Sequence, residues 1–171
     1  MCGIVGCLDW SGRHRPEVGL LRRMLFAIRH RGPDEFGVYV DGRVGMGCAR
    51  LSIIDLNTGQ QPICNEDRSL WIVFNGEVYN YPELRAELVD RGHTFTTQTD
   101  TEVILHLFEE RGPGCLDRLN GQFAFAIWDT DRQSLFLARD RLGIRPLFYA
   151  PVPHGLVFGS EIPESFQWDR K

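Results

Sequence analysis

"MCGIVGC" (residues 1–7) opens the chain, with Cys2 directly after the initiator methionine and a short apolar run broken by Gly3 and Gly6. Residues 3–8, "GIVGCL", have the length and composition of a buried strand. Cys2 stands at its edge and permits two readings. It is either the first residue of that strand or a nucleophile placed where the chain terminus can activate it. Loss of Met1, the usual fate of a methionine before a small residue, would give Cys2 a free α-amine. An ordinary thiol titrates near about 8.5 and an α-amine at about 7.7–8.0, so the amine can accept the thiol proton at neutral pH. That is the N-terminal-amine device of covalent catalysis. With Met1 in place the same nitrogen is a non-basic amide.

The rest of the chain continues the alternation of short apolar runs and turns. "GVYV" (37–40), "VGMGCARL" (44–51), "LWIVFNG" (70–76), "QFAFAIWD" (122–129), "SLFLARD" (134–140), "PLFYA" (146–150) and "GLVFGS" (155–160) read as strands. Thr130–Gln133 reads as a hairpin turn between two of them. Three segments read as helices. Leu20, Leu21, Met24, Leu25 and Ile28 recur at helical spacing behind Pro16, with Gly32 as the stop. "YPELRAELVDRG" (81–92) carries Leu84, Leu88 and Val89 on one face. "TDTEVILHLFEERG" (99–112) opens with a capping-box pattern from Thr99 to Glu102 and turns Val103, Ile104, Leu107 and Phe108 inward. Eight or nine strands in antiparallel meanders with two or three interposed helices predict an α+β domain, with helices packed outside stacked sheets.

Composition narrows the function classes. The 171 residues carry a net charge of −4, 43% hydrophobic and 25% charged residues, which suits one soluble globular domain. No basic stripe suggests nucleic acid. No apolar run approaches the roughly 20 residues that span a bilayer, and no secretory signal is visible, so no membrane partner and a cytoplasmic location are expected. Cys2, Cys7, Cys48, Cys64 and Cys115 form no C-x-x-C pair, so neither a disulfide framework nor a metal is expected.

Several polar residues sit where a core would not place them. Arg50 lies in the apolar segment "ARLSIIDL" (49–56), and a buried guanidinium needs a partner, either an internal acid such as Asp55 or a ligand carboxylate. "VFNGEVYN" (73–80) closes a strand at Asn75-Gly76-Glu77, either a common turn or a pair of donors converging on developing negative charge. Asp100 opens a helix, where the dipole favours an acid and where a carboxylate could receive an ammonium group. "RHRGPDEFG" (29–37) crowds charge into one loop. A cation, carboxylates, an oxyanion pair and a thiol together suit an α-amino acid with a scissile side-chain amide, a description glutamine fits.

Taken in order, "MCGIVGC", "RHRGPDEFG", "ARLSIIDL", "GQQP", "FNGEVYNYPELR", "TDTEVIL", "LNGQFAFAIWD" and "ARDRLGIRPLFY" resemble the glutamine amidotransferase type-2 domain of the asparagine synthetase (glutamine-hydrolysing) family. The resemblance covers residues 2–162 and leaves 163–171 as a divergent tail. It implies a four-layer α/β/β/α sandwich of two antiparallel sheets flanked by helices, of the N-terminal-nucleophile hydrolase type. It also implies Cys2 as nucleophile, Asn75 and Gly76 as the oxyanion hole, and Arg50 as the holder of the glutamine α-carboxylate. Leu51, Ser52, Ile53 and Ile54 would line the pocket, Glu77 and Asp100 would receive the α-amino group, and the 29–34 loop would border the site. The expected partners are L-glutamine and a synthetase domain or subunit that accepts ammonia. No cofactor is expected for the glutaminase half, with ATP and Mg needed only in the synthetase. No Gly/Ser-rich pyrophosphate loop is visible, so this segment alone is not expected to make asparagine. A second reading keeps the fold as a catalytically silent glutamine-binding or regulatory module. A third makes the chain a structural partner, with "IRPLFY" and the tail's Phe166 and Trp168 as a sticky face.

Overall fold

The computed structural model describes residues 1–51 and 59–162. Nine strands and three α-helices follow in chain order: β1 (Gly3–Asp9), α1 (Val18–Ala27), β2 (Glu35–Asp41), β3 (Val44–Arg50), β4 (Ile63–Cys64), β5 (Leu70–Val78), α2 (Tyr81–Asp90), α3 (Asp100–Arg111), β6 (Gly121–Asp129), β7 (Ser134–Arg139), β8 (Phe148–Val152) and β9 (Gly155–Gly159). A 3₁₀ turn over Gly112–Arg118 follows α3. One sheet has the order β2-β3-β1-β9-β8 and the other β4-β5-β6-β7, and all their pairings are antiparallel.

Three apolar clusters show how the layers stack. Ile4, Met46, Cys48 and Phe158 of the five-stranded sheet meet Val73, Ala124, Ala126 and Trp128 of the four-stranded sheet. On the outer side of the first sheet, Val5, Cys7, Ala49 and Val157 pack on Leu21, Met24, Leu25 and Ile28. On the outer side of the second, Ile72, Phe74, Phe125 and Ile127 pack on Leu84 and Leu88 of α2 and on Val103, Ile104 and Leu107 of α3. The order is therefore helix, sheet, sheet, helices, the expected four-layer sandwich. Both faces of the central strands are covered, which is why β1 and β3 read as nearly unbroken apolar runs.

The structure departs from the sequence expectations at several points. The first helix ends at Ala27 rather than Gly32. Gly32 serves a close approach instead: a Cβ there would lie 2.2 Å from the Ala49 carbonyl oxygen. Val89 is half-exposed, and α3 buries Leu105 and His106 as well as Val103, Ile104 and Leu107, while Phe108 is only partly buried. The capping box is half formed, because the Thr99 hydroxyl accepts from the Glu102 N–H while the Glu102 carboxylate turns to the Thr96 and Thr97 N–H groups. In keeping with the sticky-face reading of "IRPLFY", Ile144 and Tyr149 are exposed. Phe166 and Trp168, with the whole 163–171 tail, lie outside the described residues. Among the described residues no helix is long and apolar enough to cross a membrane.

Candidate active site

Strand parity separates the two cysteines of "MCGIVGC". Cys2 packs on the inter-sheet cluster with Ile4, whereas Cys7, an odd number of residues on, faces α1 with Val5. The two surroundings drive the thiols apart. The neighbouring Cys48 thiol, the Leu51 N–H and nearby positive charge outweigh burial and lower Cys2 to about 6. Burial pushes Cys7 up to about 12. The Leu51 N–H lies 3.4 Å from the Cys2 sulfur. Cys48 is fully buried and held well above its ordinary value, chiefly by its bond to Cys2 and by burial, so it stays a protonated donor.

Arg31 fixes the Cys2 backbone. Its Nε donates to the Cys2 carbonyl at 3.1 Å, and its Nη1 donates to Glu161 at 3.0 Å. His30 also reaches Glu161, at 2.9 Å. The charge crowded into "RHRGPD" thus ties β1 to the end of β9, at the border of the site.

Opposite Cys2, β5 presents both kinds of hydrogen-bond donor. Its odd positions face the other sheet, and Asn75 ends that row beyond Val73. Asn75 is buried, lines the cleft, and its Nδ2 has no hydrogen-bond partner in the protein. Such an atom is costly to bury unless something arrives to accept from it. The backbone N–H groups of even residues point to the edge away from β6. The Phe74 N–H is taken by the Gln61 side-chain oxygen at 2.6 Å and the Val78 N–H by Asp100 Oδ2 at 2.9 Å. Gly76 lies between them, its N–H directed at the same edge. A Cβ on Gly76 would meet the Gln122 carbonyl oxygen at 2.3 Å, so no other residue fits there without moving β6.

Cys2, Arg50, Leu51, Asn75, Gly76, Glu77 and Asp100 share one open cleft with a cavity volume of about 110 Å³. Arg50 is buried and pairs with Glu35 at 2.8 Å, one internal partner. Asp55, the acid suggested by sequence, lies outside the described residues, as do the pocket candidates Ser52, Ile53 and Ile54. Burial raises Asp100 to about 6 even though it accepts backbone N–H bonds. Sequence reasoning missed Gln61, Phe74, Thr99, Thr101 and Arg145 in the lining. "GQQP" carried the signal for Gln61: a polar side chain beside a proline, just before a strand only two residues long. Met1 also lines the cleft, and Arg145 contacts its sulfur.

Chemically, a thiol poised to ionise, an unpartnered amide N–H donor and a buried carboxylate lining one cleft suit attack on an amide carbonyl. Comparison with known proteins agrees. The family profile described as "Glutamine amidotransferase domain" matches residues 1–168. Asparagine synthetase [glutamine-hydrolyzing] 2 of Bacillus subtilis is 45% identical over 98% of this chain and 24% of its own length. Asparagine synthetase B of Escherichia coli is 41% identical over 92% of this chain and 28% of its own. The chain therefore spans about a quarter of the length of these curated relatives. Among solved structures, the glutamine phosphoribosylpyrophosphate amidotransferase of B. subtilis superposes with a TM-score of 0.77 at 24% identity, over 94% of this chain and 42% of that one. A second structure, described as the allosteric regulatory enzyme of purine biosynthesis, gives 0.77 at 23%, with the same coverage of each chain. At that identity the likeness is one of fold.

Proposed function

The chain belongs to the glutamine amidotransferase family, and on that premise we propose that it hydrolyses the side-chain amide of glutamine with Cys2 as an N-terminal nucleophile. One observation carries this reading: the lowered Cys2 thiol and the partnerless Asn75 amide line the same cleft. Removal of Met1 frees the α-amine of Cys2, which takes the thiol proton. The same removal withdraws the Met1 side chain from the cleft. The thiolate then attacks the amide carbon, and its oxygen gains negative charge within reach of the Asn75 Nδ2–H and the Gly76 N–H. Such donors each contribute about 2.7–4 kcal/mol to an oxyanion transition state. The amine returns its proton to the leaving nitrogen, ammonia departs, and water opens the thioester to release glutamate.

Arg50 and Asp100 bracket the substrate. The guanidinium attracts the α-carboxylate, and Asp100, ionised above about 6, receives the α-ammonium. Ammonia leaves for an acceptor synthetase domain or subunit. The length of the relatives supports such an acceptor, and so do the exposed apolar side chains of Leu142 and Ile144, which line one surface depression.

Glutamate release from glutamine tests the proposal. The wild-type chain turns over, and Cys2→Ala falls to below roughly a thousandth of it. Equal rates would refute Cys2 as nucleophile and favour a silent binding module.

A further inference from the structure

Away from the glutamine cleft, on the outer helical layer, Glu66, His93, His106 and Glu109 bring one donor atom each to within 4.8 Å of the others. They come from three segments: the β4–β5 turn, the residues after α2, and one face of α3. Both imidazoles present Nδ1 to Glu109 Oε2, His106 at 3.3 Å and His93 at 3.8 Å. Glu66 Oε2 lies 3.7 Å from His106 Nδ1. Two of these three separations exceed a direct hydrogen bond. A tetrahedral ion with bonds of about 2.0–2.2 Å sets neighbouring donors roughly 3.3–3.6 Å apart; the His106–Glu109 separation matches that spacing, and the other two lie a few tenths of an ångström beyond it.

One outer nitrogen is bonded as in a metal site, and the other faces a carboxylate without bonding it. The far nitrogen of each imidazole faces a carboxylate: His93 Nε2 meets Glu110 at 3.2 Å, and His106 Nε2 lies 3.8 Å from Glu102. His106 is fully buried, and this Nε2 makes no hydrogen bond. Carboxylates on the outer nitrogen are the usual second layer of metal-bound histidine, since they orient the ring and leave the inner nitrogen bare. Glu66 is braced too, its other oxygen accepting from the Thr94 N–H at 3.0 Å. Glu102 is held by the Thr96 and Thr97 N–H and hydroxyl groups. Arg91 balances Glu110, at 2.7 Å. Three carboxylates, Glu66, Glu102 and Glu109, then surround two imidazoles, and a divalent ion supplies the positive charge that grouping lacks.

We propose that Glu66, His93, His106 and Glu109 bind one divalent transition-metal ion of the zinc class, through two imidazole nitrogens and two carboxylates. This set prefers zinc over magnesium, which favours oxygen-only octahedral sites. The ion would pin α3 to the β4–β5 turn and to the end of α2, stiffening the layer whose first residue, Asp100, lines the glutamine cleft.

Calorimetric titration of ZnCl2 into chelator-stripped full chain tests the site, with Cys2→Ala as background so that the cleft thiol cannot capture the metal. The expected result is about one saturable Zn2+ per chain, no comparable binding of MgCl2, and a higher melting temperature with equimolar zinc. Adding His93→Gln weakens zinc affinity by at least about tenfold. Glu109→Gln, on the exposed side, serves as the second variant, and circular dichroism verifies the fold of each. Absence of saturable zinc binding would overturn the proposal, because the cluster would then be an ion-pair network of protonated histidines. Undiminished affinity in both folded variants would overturn it equally, by placing the metal elsewhere.

Discussion

Along β1 and the residue just before it, opposite faces carry the same functional group to opposite ends of its chemistry. On the inter-sheet face, at the cleft, Cys2 has a thiol and an N–H as neighbours and is lowered to about 6. On the helix face Cys7 meets Leu21, Met24 and Leu25 and is raised to about 12. Five residues along a strand reverse the facing side, and the facing side decides whether a thiolate is stabilised or excluded. The difference teaches that reactivity here is a property of the layer a residue faces: the seam between the sheets opens into a polar cleft at its end, whereas the helix–sheet seam stays apolar.

Three perturbations sharpen or break that contrast. The largest acts on the polar neighbours that the Cys2 face has and the Cys7 face lacks. Asn75→Ala removes one of two oxyanion donors and should lower kcat for glutamine hydrolysis by about 10²–10³, with KM changed little. Steady-state kinetics checks this, and an unchanged kcat would mean that the unpartnered amide does not face the reacting carbonyl. Next is pH. Thiolate is the alkylating species, so labelling of Cys2 should rise about tenfold per unit as pH climbs toward 6 and level off above it. Cys7 should stay unlabelled up to pH 9. Peptide-resolved labelling rates decide the matter, and parallel profiles would erase the comparison. The same acid limb should appear in kcat/KM, because Asp100 loses its charge as pH falls through about 6. The smallest effect belongs to Cys7→Ala. Deleting one buried sulfur should cost about 1–2 kcal/mol in denaturant unfolding and leave kcat within about twofold.

Much of this was legible in the sequence, for a physical reason. Buried strands and amphipathic helices announce themselves through apolar spacing, so β1, β3, β5, β6 and the three helices stand close to where periodicity puts them. Cys2, Asn75 and Gly76 stood out as special or polar residues at the end of an apolar run, Arg50 as a charge inside one, and Asp100 as an acid opening a helix. What stayed hidden depends on pairing across the chain. β4 is two residues long and carries no period. One partner of Arg50 is Glu35, its register neighbour on β2, which only the β2–β3 ladder reveals. Gln61 is a cap for the Phe74 N–H because β4 stops short of it, a fact of sheet geometry. The His/Glu grouping on the outer layer escaped a search based on cysteine spacing, since its four residues come from three segments that only folding unites.

The central claim is that Cys2, as the first residue of the processed chain, attacks the amide carbon of glutamine. An electrophilic glutamine analogue, with a reactive ketone in place of the side-chain amide, tests it directly when followed by peptide mapping. The account predicts one adduct per active chain, on a peptide that begins at Cys2 with Met1 gone and that is suppressed by excess glutamine. An adduct on Cys7, Cys48, Cys64 or Cys115, or on a peptide that still carries Met1, would contradict it.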